Sequence, residues 1–274
     1  MQYLLEAART VLSLSFLFYA SWSDYKTREV SNAVWIVFAP LAFVLTFVQV
    51  CLYEPSWLAF YGVSFGLTGA VSIVLFYAGG FGGADAKALM CLGLALPFYP
   101  SSLLSSGLFV AIVGESSPIT RLLFPVTVFS NAVLFAAATA VYILFRNVSW
   151  RLRTGEKLFE GGQEKEALGK KVLVLLTGYR MSISKVKEKW HLYPLEDVEE
   201  TQTGELRRKL VVVPRDETRG AMLERLDKAF KKGAIQDMIM ATPGLPMLIF
   251  VTAGLVMALL VGDIVWICVR LLLG

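Results

Sequence analysis

Apolar residues run through this chain in long blocks, and the charged residues gather in the gaps between them. Tyr3 to Ser21 is the first block, interrupted near its start by Glu6 and Arg9. Ala33 to Tyr53 and Ser56 to Ala78 come next, separated only by Glu54 and Pro55, so these two form a helical hairpin. Each has about the twenty residues that a helix needs to cross roughly 30 Å of hydrocarbon. Asp85 to Phe98 is shorter: about fourteen residues rise only about 21 Å. It predicts a fourth helix with an end in a thinned, cavity-like part of the membrane, or one completed by the residues after Phe98. Tyr99 to Thr120 contains one apolar piece, Leu108 to Val113, too short to span and read as re-entrant or interfacial. Leu122 to Phe145 makes a fifth span. Pro243 to Leu273 makes a sixth, entered through Pro243-Gly244-Leu245-Pro246-Met247, where proline suits a helix start better than its interior.

After Arg146 the pattern changes abruptly, and from there to about Thr242 lie more than two-thirds of all charged residues. Within this stretch Lys171 to Ile183 and Glu205 to Val213 read as strands, the second closed by Pro214. Asp216 to Lys232 has helical spacing, with Met222, Leu223, Leu226, Ala229 and Phe230 on one side. The acidic run Glu196 to Glu200 reads as a solvated loop and His191, without a companion ligand, as a surface or packing residue. The predicted fold is a mainly α membrane protein of six transmembrane helices, with a small α+β domain between helices five and six. Its division is a membrane core over residues 1–146, a polar domain over 147–242 and a last helix over 243–274.

Composition supports the membrane class. The 274 residues are 56% hydrophobic and 18% charged, with a mean hydropathy of +0.61. The net charge of +4 does not point to nucleic acid, because the cations are mixed with a similar number of acids, as in a solvated domain beside an anionic lipid surface. Cys51, Cys91 and Cys268 lie in or beside apolar runs without ligand spacing, so neither a metal site nor a disulfide framework is expected. The first run lacks the basic start and small-residue cleavage site of a secretory signal. Short-loop cations settle orientation: Lys26 and Arg28 come after span one, Lys87 after span three, and Arg146, Arg151 and Arg153 after span five. The positive-inside rule places these ends and the polar domain in the cytoplasm.

Two carboxylates fall at the predicted cytoplasmic ends. Asp24 lies just past the first run, and Asp85 closes the glycine-crowded turn Gly79-Gly80-Phe81-Gly82-Gly83-Ala84-Asp85. An Asp there can simply cap its helix, or it can be kept for function. Paired aspartates sharing one proton can hydrolyse a peptide: the ionised member activates water, and the protonated member supports the oxyanion or protonates the leaving amine.

Asp24 with the basic loop ending Val30-Ser31-Asn32, and the element Gly82-Gly83-Ala84-Asp85-Ala86-Lys87, resemble the two active-site motifs of the type IV prepilin and preflagellin (archaellin) peptidases. These are intramembrane aspartic proteases of the GxGD type. The likeness covers the first half of the chain well, and the polar insert before a last span is similar to the archaeal branch. It implies an endopeptidase of the cell membrane, with Asp24 and Asp85 as catalytic pair. Its substrate is an archaellin or pilin-like precursor with a short basic leader, cut at the cytoplasmic face without metal or cofactor. Gly82, Gly83 and Lys87 belong to the motif, and Arg28 and Asn32 are candidates to hold Asp24 in place. Lys87 also has a plainer reading as a lysine reaching for lipid headgroups. Ala84 replaces the motif's second glycine. The cysteine-bearing loop of the bacterial enzymes is absent, so their methyltransferase activity is not implied. Two other classes remain open: an ion- or proton-coupled transporter using the same aspartates, and a noncatalytic scaffold that binds a partner through the polar domain.

Overall fold

The computed structural model describes residues 1–79, 81–100, 117–200, 206–212, 219–244 and 246–273. The short apolar piece Leu108 to Val113 and the strand closure at Pro214 lie outside them. The chain forms two compact units, residues 1–136 with 246–274, and residues 137–245.

The first unit is helical. Its elements are α1 (Gln2–Thr27), α2 (Asn32–Tyr53), α3 (Leu58–Tyr77), α4 (Gly83–Ala95), α5 (Pro118–Leu122) and the first part of α6 (Phe124–Thr154). Among the described residues four helices, α1, α2, α3 and α6, are long and apolar enough to cross a membrane, α3 together with the short 3-10 turn before it. At thirteen residues α4 is not. Bulky apolar side chains cover much of the outside of this unit, and in α3 small and polar ones turn inward. In α3 the buried positions are Tyr61, Ser64, Thr68 and Ser72, one face of the helix, while Phe60, Val63, Ile73 and Val74 are exposed. That inversion of a water-soluble helix is what a lipid exterior selects. Leu17, Phe38, Leu92, Phe124, Val128 and Leu255 form the central apolar cluster.

The predicted sixth span is not one continuous helix. It consists of the helices Met247–Leu260 and Ile264–Leu273, bent by 62° at the break between them. Gly262 takes a left-handed φ of 87°, and buried Asn131 of α6 bridges the break, donating to Gly262 O (2.8 Å) and accepting from Ile264 N–H (3.0 Å). A hydropathy average over the run passes over this, because only Gly262 and Asp263 interrupt it, and that Gly-Asp pair is the local mark of the break.

The second unit mixes helices and strands. Lys171 to Ile183, read as a strand, is mostly the helix α7 (Leu168–Thr177), leading into β1 (Tyr179–Ser182) and the start of α8 (Ile183–Glu188). A short Val/Leu run fits either periodicity, and packing of Val174 into the core decides it. Antiparallel pairing sets β1 and β2 (Tyr193–Pro194) on either side of β5 (Met238–Thr242). The acidic run is a strand, β3 (Glu196–Glu200), paired with β4 (Leu206–Leu210), with Glu196 and Asp197 buried. The helix predicted from Asp216 is α9 (Arg219–Lys231), its Met222, Leu223, Leu226 and Ala229 buried as expected. The two helices after β5 are α10 (Met247–Leu260) and α11 (Ile264–Leu273), and they return to the first unit.

Candidate active site

Asp24 is not in a loop: α1 runs on past Ser21, and the carboxylate stands in the helix's last turn. Arg28 ends the helix in the left-handed region, φ 57°, with its N–H on Asp24 O at 3.0 Å. Ser23 Oγ and Thr27 Oγ1 donate to Glu29 O at 2.8 and 2.9 Å and hold the reversal. Ser31 then caps α2, accepting from Ala33 N–H. One turn before Asp24, Ser21 Oγ donates to Leu248 O (2.9 Å) and lies 2.6 Å from the Thr252 hydroxyl, which reaches Leu17 O. These buried bonds tie α1 to α10 beside the carboxylate, and nothing in the local sequence marks them.

Asp85 lies in the first turn of α4, behind its N-cap residue Gly82. Its Oδ2 accepts from Gly82 N–H at 3.0 Å, so the plain capping role is present. The preceding turn is pinned by Phe81, buried against Leu75, Phe129 and Met247, with its ring 5.6 Å from that of Phe129. Gly79 supplies the turn's left-handed residue, φ 74°.

The two aspartates, 61 positions apart in sequence, lie on contacting helices. They are near enough for the charge of Asp24 to act on Asp85, and Arg28 acts in turn on Asp24. Both side chains are half-buried. Lys87 is not simply directed at lipid: its Nζ donates to Asn32 Oδ1 at 2.6 Å and links the starts of α4 and α2. Gly82 and Gly83 form the N-terminal edge of α4. Thus the predicted site residues meet at one end of the first unit. Chemically, this supplies two carboxylates that share an electrostatic environment, partly shielded from water, at a helix end that also carries Lys26, Arg28 and Lys87.

A family model described as the type IV leader peptidase family matches residues 11–141, and one described as the archaeal peptidase A24 C-terminus type II matches residues 170–264. A preflagellin peptidase of Methanococcus maripaludis (strain C6) is 23% identical over 256 residues, covering 90% of this chain and 92% of the relative. A preflagellin peptidase of Methanococcus voltae is 31% identical over 147 residues, covering 50% and 57%. Asp24 and Asp85 fall within the first matched range and most of the second unit within the other, and the chain belongs to the type IV leader peptidase family.

Proposed function

We propose that this chain is a membrane-embedded aspartic endopeptidase that removes the short basic leader of an archaellin or type IV pilin-like precursor. Asp24 and Asp85 are the catalytic pair. One carboxylate takes a proton from the attacking water, and the other, carrying the shared proton, delivers it to the leaving amine. The precursor's apolar helix lies in lipid against the peptidase, leaving its leader in the cytoplasm at the level of the aspartates. In this reading α4 and the bent pair α10–α11 complete six passes, and residues 147–242 form a cytoplasmic domain. Arg28, Asn32, Lys87, Gly82 and Gly83 support the pair.

The observation that carries the reading is the placing of two half-buried carboxylates, 61 positions apart in sequence, on contacting helices at the end of the first unit where α1 stops and α4 starts. Precursor cleavage by membranes carrying the wild type, Asp24→Asn or Asp85→Asn tests it. Each variant is expected to lose cleavage by at least about a thousandfold, as removal of either member of a unit does. Equal cleavage by both variants rejects the aspartic mechanism and favours ion transport.

A further inference from the structure

The first half of α1 carries two charges, Glu6 and Arg9, that the proposed reaction does not use. Both are buried, 6% and 4% exposed, far along the helix from Asp24. Arg9 lies where α4 stops. Because α4 has only thirteen residues, its last carbonyls end inside the unit, where the helix itself cannot satisfy them and apolar surroundings offer no water.

Four side chains from three neighbouring helices meet that end. Arg9 Nη1 of α1 donates to Ala95 O at 3.2 Å, and Thr46 Oγ1 of α2 donates to the same oxygen at 3.1 Å. Tyr61 OH of α3 donates to Leu94 O at 3.3 Å, and Ser64 Oγ donates to Pro97 O at 3.1 Å. All four residues are buried. Hydroxyls alone could satisfy these acceptors, yet a guanidinium is present, and a charge in apolar surroundings is costly. Its favourable partner is the negative end of the α4 dipole, with Glu6 and Glu54 supplying countercharge. A helix that crosses the membrane is fixed along its axis at both interfaces. One that ends inside lacks the far anchor, so the bonds at that end add an axial stop to side-chain packing and to the Lys87–Asn32 link, and the other end of α4 carries Asp85.

We propose that Arg9 is a positioning residue for the peptidase reaction: by holding Ala95 O it fixes α4 along its axis and so sets the separation of Asp85 from Asp24. The inference rests on the reading of those two aspartates as the catalytic pair. A slide of one residue along the helix moves Asp85 by about 1.5 Å, enough to matter for a proton shared between carboxylates.

The test uses the full chain, purified and reconstituted in lipid, with a candidate precursor as substrate. Arg9→Met is expected to lower kcat on the order of 10- to 100-fold with KM within about twofold, because the substrate surface is intact and only the catalytic geometry shifts. Arg9→Lys, which keeps the cation, recovers most of that loss, and Tyr61→Phe gives a smaller fall in kcat of the same kind. A second measurement needs no activity. In a chain with Cys51, Cys91 and Cys268 replaced by Ala, Asp24→Cys and Asp85→Cys are joined by a short bifunctional thiol reagent. Adding Arg9→Met slows the cross-link, and adding Arg9→Lys does not. Wild-type kcat in Arg9→Met, or an unchanged cross-linking rate, overturns the proposal. Should Asp24→Asn and Asp85→Asn retain cleavage, the catalytic reading fails by itself, and the cross-linking rate still decides whether Arg9 places α4.

Discussion

Gly82 sits where any side chain would press on the carboxylate it caps. A β-carbon there would lie 3.0 Å from Asp85 Oδ2, so Gly82→Ala makes that carboxylate shift by a few tenths of an ångström and strains its bond to the Gly82 N–H. At Gly83 the nearest atom is Phe76 Cε2 at 3.7 Å, an ordinary contact. We therefore expect Gly82→Ala to lower precursor cleavage on the order of tenfold or more. Gly83→Ala keeps most of it, with Asp85→Asn as the zero. Equal losses in the two would mean that both glycines act by admitting the substrate backbone. The presence of glycine and of a capping Asp is legible from the residues alone. The division of labour is not: the left-handed position is Gly79, whereas Gly82 has an ordinary φ of −71° and is small for the sake of Asp85. Arg9 is visible in the sequence as a flaw in an apolar run and nothing more, because its partner is a carbonyl 86 positions away.

At the level of elements, the strand pair β3–β4 is held by buried charge. Arg208 Nη2 donates to Glu196 Oε1 at 2.7 Å and its Nη1 to Glu160 Oε2 at 3.1 Å, while Arg180 binds the other Glu160 oxygen at 3.1 Å. Gln163 also donates to Glu196, whose side chain is fully buried. Burial pushes the Glu196 carboxyl up, and the Arg208 guanidinium opposes this. Removing the cation alone leaves an uncompensated buried acid, so Arg208→Met should destabilise the second unit by about 3–5 kcal/mol. Replacing both partners, Arg208→Met with Glu196→Leu, should recover much of it, since two desolvated charges are exchanged for apolar contact. Amide hydrogen exchange of residues in β3, β4 and β5, measured in the full chain, checks both. A double variant as unstable as the single one would assign the loss to packing instead. The sequence of this strand suggests a solvated loop because runs of neighbouring acids usually face water, and the cations that bury this one are Arg208 on Glu196 and Arg225 on Asp197. The helical state of α7 escapes a sequence reading because composition reports how apolar a segment is and tertiary contacts choose its backbone, whereas the break at Gly262 is marked by Gly262-Asp263 and is lost only when the whole apolar run is averaged.

Across the first unit as a whole, polar ties mark two opposite ends. Lys87 to Asn32 joins the starts of α4 and α2 beside Asp24 and Asp85. Gln2 Nε2 to Glu54 Oε1, at 2.9 Å, joins the start of α1 to the turn between α2 and α3, where Trp57 also stacks edge-on against Phe98 at 5.0 Å. The aspartate end carries Lys26, Arg28 and Lys87 at helix ends, and the other end carries Glu54, with Glu6 and Arg9 buried beside it. Counting short-loop cations along the sequence therefore assigns a side of the membrane to each end, which the helix packing alone has no means of doing. Labelling tests the assignment, in a background without Cys51, Cys91 and Cys268. Tyr25→Cys and Tyr77→Cys are exposed at the aspartate end, and Ser56→Cys is exposed at the other. With a membrane-impermeant maleimide, Ser56→Cys should react in intact cells, while Tyr25→Cys and Tyr77→Cys react only once the cytoplasm is opened. All three reversed would turn the enzyme over and place the cut outside, keeping the chemistry. Tyr25→Cys and Tyr77→Cys reacting from opposite sides would separate the helix ends that carry Asp24 and Asp85, and two carboxylates divided by the bilayer cannot share a proton.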